Sequence, residues 1–199
     1  GLRTGPLVLQ PRLDLKGHTE QVRTARFSTD GRRLVTAGLG REARVWAVPS
    51  GEAMWTMEGT SKHAYCATFT PDGRTAVLGG ERDAVTFWGL EDGKRLDTSA
   101  GRTTGMDLAF SPDGEYLVAA AGYGGLISWR RDGRTGLVGE KRVRLTDNPK
   151  AESLAHGLAF APAGSLAVVD HPRALVMFAG YGLVGTHRLL ARVQHAAFS

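Results

Sequence analysis

The sequence of 199 residues contains one cysteine, Cys66, so it cannot form a disulfide within itself. Nothing in the composition therefore argues for an oxidising compartment. The sequence also has no signal-peptide pattern and no apolar run of about 18 residues, the length that a spanning helix requires. We expect a cytoplasmic protein that makes no contact with a membrane.

Motifs for catalysis and cofactor binding are absent too. The sequence has no GxxxxGK phosphate loop, no HExxH helix and no paired CxxC. Cys66 lies inside a predicted strand, where a small core residue is a better interpretation than a nucleophile. We therefore expect no enzyme activity, no cofactor and no bound metal.

The formal net charge is +5, which raises the question of nucleic-acid binding. The lysines are few, and the arginines are scattered singly through the chain rather than gathered in one block. This distribution favours a solvated basic surface, and we do not expect a nucleic-acid partner.

What the sequence does contain is an outline that returns at regular intervals. It begins with an anchoring phenylalanine, continues three residues later with Asp-Gly in the first three copies, and closes with an aromatic residue 18 or 19 positions after the anchor. The anchors are Phe27, Phe69, Phe110, Phe160 and a fifth, Phe198; the closing aromatics are Trp46, Trp88, Trp129 and Phe178.

One copy of the outline reads as a four-stranded antiparallel sheet. Segments 22–27, 33–38, 43–48 and 53–57 are short, rich in β-branched or apolar residues, and bounded by Gly, Asp or Pro. The Asp-Gly pair supplies the positive φ of a tight hairpin, so the repeated Asp30, Asp72 and Asp113 are better explained as turn residues than as catalytic acids. Such a sheet has two apolar faces, so we expect neighbouring sheets to stack with Phe and Trp between them.

The Gly17-His18 pair, the F-S-x-D-G turn and the closing Trp resemble the repeats of WD-repeat β-propellers. The resemblance covers about residues 12–199, after a lead-in at 1–11, and it implies an all-β chain of four complete four-stranded blades plus flanking strands of two more. The blades are expected at 22–57, 64–98, 105–146 and 155–190, with a partial blade from residue 193.

The chain also departs from this family. Gly-His occurs only once before a repeat, and Ala47, Gly89 and Arg130 replace the Asp that usually follows the Trp. We expect the buried polar network of the family to be mostly lost, as in divergent bacterial members, with His18 keeping a structural hydrogen bond. Similar propellers close as rings of more blades, so the remaining blades are expected from the rest of a longer chain or from another chain.

The resemblance implies a function as a non-catalytic scaffold that presents a rigid propeller rim to a protein or peptide partner. In the family, partners dock at fixed offsets from the anchoring Phe and the closing Trp. Transferred to this sequence, these offsets select Gln21, Arg23, Leu39, His63, Tyr65, Glu81, Thr104, Met106, Leu154, His156, His171, Arg192 and Gln194.

Three alternatives remain open. His63 and His156 flank equivalent positions and are expected near the channel mouth, where an enzyme of propeller type could use them. The chain could instead be a regulatory sensor module of a larger multidomain signalling protein, or the rim could be ordinary solvated surface. Residues 132–154 contain an insertion, which we interpret either as a surface loop or as a docking element specific to this protein.

Overall fold

The computed structural model describes residues 13–58, 63–121, 125–133, 135–144, 154–164, 166–171, 174–178 and 186–189. These residues form fifteen β-strands and contain no helix, which confirms the all-β prediction. The predicted lead-in at 1–11 and the partial blade from 193 lie outside the described residues.

The first sheet, called blade one, is an antiparallel meander in the order β1-β2-β3-β4. Its first hairpin pairs Phe27 with Leu34, and Gly31 in the intervening turn has a φ of 66°. That backbone conformation favours glycine, which explains the Asp-Gly pair. The strands are β1 (Val22–Phe27), β2 (Arg33–Gly38), β3 (Glu42–Ala47) and β4 (Ala53–Glu58).

Blades two and three share one strand. The sixteen residues of β8 (Arg95–Phe110) pair with β7 as far as Thr104 and then with β9 from Gly105. One seven-stranded sheet therefore replaces two separate ones, because the residues between the expected blades continue to pair. Its other strands are β5 (Cys66–Phe69), β6 (Thr75–Gly79), β7 (Glu81–Gly89), β9 (Tyr116–Ala121), β10 (Gly125–Asp132) and β11 (Gly136–Arg144).

Blade four is a second four-stranded antiparallel meander, in the order β12-β13-β14-β15. The expected insertion at 132–154 is in part the outer strand β11 of blade three, and its residues 145–153 lie outside the described part. The strands of blade four are β12 (Leu154–Phe160), β13 (Leu166–His171), β14 (Ala174–Phe178) and β15 (Thr186–Leu189).

The hydrophobic core lies between the blades rather than within them. Three clusters of buried side chains join blade one to two, two to three, and three to four. Trp88 belongs to the first cluster and Trp129 to the second, and they are 8% and 2% exposed. The stacking therefore removes the large apolar residues from water, which is the main favourable contribution to folding of such repeats.

Phe27 departs from the expectation that each anchoring Phe lies between two sheets. It is 64% exposed, whereas its repeat equivalent Phe69 is 5% exposed. Phe69 faces blade one, and the equivalent face of blade one has no described sheet packed against it. The exposure of Phe27 therefore follows from its position on the face of blade one against which no described sheet packs.

Candidate functional site

A buried chain of hydrogen bonds holds the centre of blade one. The Trp46 indole N–H donates to Thr36 Oγ1 at 2.8 Å, and the same hydroxyl lies 2.6 Å from His18 Nε2. The Thr36 hydroxyl can accept from the indole and donate to the imidazole at once. His18 therefore keeps the structural hydrogen bond expected of it.

The surroundings of His18 favour its neutral form. Burial lowers the pKa of His18, the carboxylate of Glu42 raises it, and Arg44 lowers it. Glu42 Oε1 lies 3.8 Å from His18 Nδ1 and also accepts a hydrogen bond from Arg44. Glu42 thus supplies a carboxylate beside the imidazole that the sequence pattern did not identify. Blade one therefore keeps the polar network that was expected to be mostly lost from the chain as a whole.

In the described parts of blades two and three, the closing Trp has other partners. The Trp88 indole donates to Thr86 at 3.0 Å within its own strand, and the Trp129 indole donates to Glu140 at 3.3 Å. Each of the three closing Trp side chains therefore keeps a partner for its N–H. A buried indole N–H without a partner would carry the full cost of desolvation.

The rim between blades one and two is tied together by backbone hydrogen bonds. The N–H of Leu39 donates to the carbonyl of Gln21 at 2.9 Å, which joins the start of β1 to the end of β2. The N–H of Ala64 donates to the carbonyl of Gly40 at 3.1 Å, which joins blade two to blade one. The loops that present the rim side chains are therefore fixed to one another.

Four of the expected rim residues meet at this junction, and we call Arg23, Leu39, His63 and Tyr65 the rim cluster. The guanidinium carbon of Arg23 lies 5.9 Å from the centre of the Tyr65 ring, which is a cation–π distance. The rings of Tyr65 and His63 lie 5.1 Å apart with a 32° tilt. His63 Nδ1 is hydrogen-bonded to the carbonyl of Leu39. Because a carbonyl only accepts, Nδ1 carries the proton.

The remaining expected rim residues are described less fully. Gln21 is exposed beside the rim cluster. For six further residues the structure describes the backbone alone: Glu81 in β7, Thr104 and Met106 in β8, Leu154 and His156 in β12, and His171 in β13. Within this group, Glu81 pairs with Thr104 and Leu154 pairs with His171. Arg192 and Gln194 lie outside the described residues.

The Asp-Gly turns at the opposite end of the blades have a repeated structural role. Asp30 Oδ1 accepts from the Ser28 hydroxyl at 2.6 Å and from the Arg32 N–H at 3.0 Å. The hydrogen bond from Ser28 is the largest of the causes that lower the pKa of Asp30. Thr70 with Asp72 and Ser111 with Asp113 repeat the same geometry. These carboxylates complete turns and are already occupied by local donors.

A second cluster, on the inner strands, was missed by the sequence analysis. The Asp107 carboxylate accepts two hydrogen bonds from Arg26 of blade one, at 3.1 and 3.0 Å. It also accepts from the N–H of its neighbour Leu108 and from the N–H of Leu158 in blade four, both at 2.9 Å. Burial raises the pKa of Asp107, while Arg26 and the two N–H groups oppose that shift. Asp107 therefore links blades one, three and four.

The repeat offers a weak signal for this position. Thr24, Cys66 and Asp107 each stand three residues before their anchoring Phe, and all three are buried. The sequence therefore marks a buried inner position, although it does not show that one member is charged. Burial raises the pKa of the Cys66 thiol, and the Asp107 carboxylate raises it further. Cys66 stays protonated at neutral pH and is a poor nucleophile.

Metal binding, catalysis by the paired histidines and membrane insertion have little support in the described part of the chain. Its residues contain no group of three or more His, Cys, Asp or Glu side chains that could hold a metal ion. The Nδ1 of His63 is taken by a backbone carbonyl, and the side chain of His156 is not described. Since no stretch of the described residues is helical, none forms a helix able to cross a membrane.

Comparison with known proteins identifies the repeat. Residues 9–47 match the family model described as "WD domain, G-beta repeat", and no curated protein matches the sequence. WD repeats generally mediate contacts between proteins and are typically non-catalytic. The matched segment contains the first three strands of blade one together with His18, Thr36 and Trp46, so this part of the chain is similar to a WD repeat.

Proposed function

We propose that this chain is a non-catalytic scaffold that presents the rim between blades one and two to a protein or peptide partner. The observation that carries the proposal is the rim cluster, in which four residues from two blades meet on one surface. Tyr and Arg are among the residues that contribute most to protein interfaces. Both belong to this cluster, and Arg23 is exposed.

The rigidity of the rim supports the same function. The backbone hydrogen bonds from Leu39 to Gln21 and from Ala64 to Gly40 hold the loops before any partner arrives. The ring of Tyr65 lies 5.9 Å from the Arg23 guanidinium carbon and 5.1 Å from the ring of His63, so it contacts both side chains. A surface that is ordered in advance loses less conformational entropy on binding.

A peptide-display experiment tests the proposal. A random-sequence peptide library is selected on the immobilised chain, and the recovered peptides are tested against a variant carrying both Arg23→Ala and Tyr65→Ala. The matched control is Arg32→Ala, which removes an exposed arginine from the turn at the other end of β1. We expect the double variant to weaken binding at least about tenfold, because it removes both anchors, and the control to leave binding unchanged.

Thermal unfolding of all three proteins accompanies the binding measurements. An unchanged midpoint in the double variant shows that the rim was altered without loss of the fold. If the recovered peptides bind the double variant as tightly as the wild type, the rim is ordinary solvated surface and the proposal is wrong.

A further inference from the structure

We infer that the rim cluster binds an acidic peptide segment, whose Asp or Glu carboxylate pairs with Arg23. This inference rests on the proposed function and names the chemical class of the partner. It is argued from the environment of Arg23, from the ring of Tyr65 below it, and from the proton on His63.

Arg23, like Arg32 and Arg74, has no ion pair with a carboxylate in the described part of the chain, and it lies over an aromatic ring. No carboxylate among the described residues lies within 4.0 Å of its guanidinium, the limit for an ion pair. Its side chain is nevertheless held in place over Tyr65. The arginines that do have a carboxylate are Arg26 with Asp107, Arg44 with Glu42, Arg131 with Asp72, and Arg142 with Glu140. The rim therefore presents a guanidinium that no carboxylate of the described residues neutralises, and an acidic partner could supply one.

The geometry of Arg23 suits a carboxylate. A guanidinium over an aromatic ring keeps its N–H groups at its edge, where a carboxylate can accept two parallel hydrogen bonds. The Cζ of Arg23 lies 5.9 Å from the centre of the Tyr65 ring, within cation–π distance, and no carboxylate of the described residues takes its N–H donors. A lysine at this position would bring the charge but not the planar pair of donors.

The proton on His63 favours a ligand with N–H donors, such as a peptide, over a bare phosphate group. Nδ1 donates to the Leu39 carbonyl, so in the neutral ring Nε2 is a hydrogen-bond acceptor. A peptide offers N–H groups to such an acceptor, whereas a phosphate diester offers none. A segment that places a carboxylate on Arg23 and an N–H near His63 therefore satisfies both side chains. The formal charge of +5 would also attract an acidic segment from solution.

The test begins with the peptides that the display experiment recovers from the random-sequence library. Those that bind the wild type and are lost on the variant with Arg23→Ala and Tyr65→Ala are sequenced. We expect them to be enriched in Asp and Glu relative to the unselected library. The tightest of them is then synthesised with its acidic residues intact, and again with every Asp replaced by Asn and every Glu by Gln.

Fluorescence anisotropy with these two peptides gives a double-mutant cycle. We expect the amide peptide to bind wild type at least about tenfold more weakly than the acidic peptide. Arg23→Gln should weaken the acidic peptide by a similar factor and leave the amide peptide nearly unaffected. Arg32→Gln, which removes the same charge from the opposite end of the blade, should weaken neither.

The outcomes separate this inference from the proposed function. Rim-dependent peptides without Asp or Glu enrichment, or two peptides that Arg23→Gln weakens equally, would overturn the acidic partner and leave the scaffold standing. A library with no rim-dependent peptide would overturn both. Competition by single-stranded DNA that is as strong as that of the unlabelled acidic peptide would also overturn the acidic peptide and would point to phosphate as the ligand.

Discussion

At the scale of single residues, the Thr36 hydroxyl of blade one makes two hydrogen bonds to aromatic side chains. It is the shared partner of the His18 imidazole and the Trp46 indole, and its residue is only 6% exposed. Thr36→Val keeps the shape of the side chain and removes the hydroxyl. Two buried ring nitrogens then lose their partner, so we expect the free energy of unfolding to fall by about 1–3 kcal/mol.

Urea unfolding of Thr36→Val and of the matched control Thr56→Val measures this difference. Thr56 is an exposed residue of β4 in the same blade, so its substitution should change the free energy of unfolding by less than about 0.5 kcal/mol. Equal losses in the two variants would mean that the buried hydroxyl contributes nothing beyond strand propensity.

Asp107 marks the limit of what could be predicted residue by residue. The Gly-His pair and the closing Trp resemble the repeats of a known family, and that resemblance was enough to predict a structural histidine at His18. Asp107 binds Arg26, which is 81 positions away, and Leu158, which is 51 positions away. No local pattern encodes such pairs, because they depend on how the blades are placed around the inner strands.

At the scale of elements, the turn at Gly93 of blade two packs closely against blade one. Its φ is 69°, and a Cβ placed there would lie 2.3 Å from the ring of Trp55 in blade one. The Trp55 indole also donates to the carbonyl of Leu90 at 3.3 Å. Gly93→Ala should therefore destabilise the protein both through its backbone conformation and by displacing Trp55.

Gly133→Ala is the control that separates these two effects. Gly133 has a φ of 66° and nothing within 4 Å of the added Cβ, so its substitution carries the backbone cost of about 1 kcal/mol alone. We expect Gly93→Ala to cost about 1–3 kcal/mol more than Gly133→Ala in denaturant unfolding, together with a change in Trp55 fluorescence. Similar losses in the free energy of unfolding would show that the Trp55 side chain moves away from residue 93 at little cost.

The elements themselves were largely predictable from local patterns. Apolar segments bounded by Asp-Gly turns predicted strands at 22–27 and 33–38, and the structure has β1 and β2 at those positions. The long strand β8 was not predicted, because the repeat pattern ended blade two at residue 98 and began blade three at residue 105. Pairing with β7 and then with β9 overrides that local signal, as tertiary context often does in sheets.

At the scale of the whole molecule, the described blades form a stack in which each is stabilised by its neighbours. All three hydrophobic clusters lie between blades, so the burial of a repeat position depends on whether another blade stands in front of it. The repeat in the sequence made the stacking predictable. It could not show that the anchoring Phe of blade one would remain exposed, because every anchor looks the same in the sequence.

Phe69→Ala and Phe27→Ala therefore form the sharpest test of the stacked arrangement. The two residues occupy the same repeat position, yet Phe69 is buried in the cluster between blades one and two whereas Phe27 faces solvent. We expect Phe69→Ala to lower the free energy of unfolding by about 3–5 kcal/mol and Phe27→Ala to lower it by less than about 1 kcal/mol. Chemical denaturation of both variants measures the difference. Equal and large losses would mean that Phe27 is covered in solution, and equal and small losses would mean that blade two does not pack on blade one.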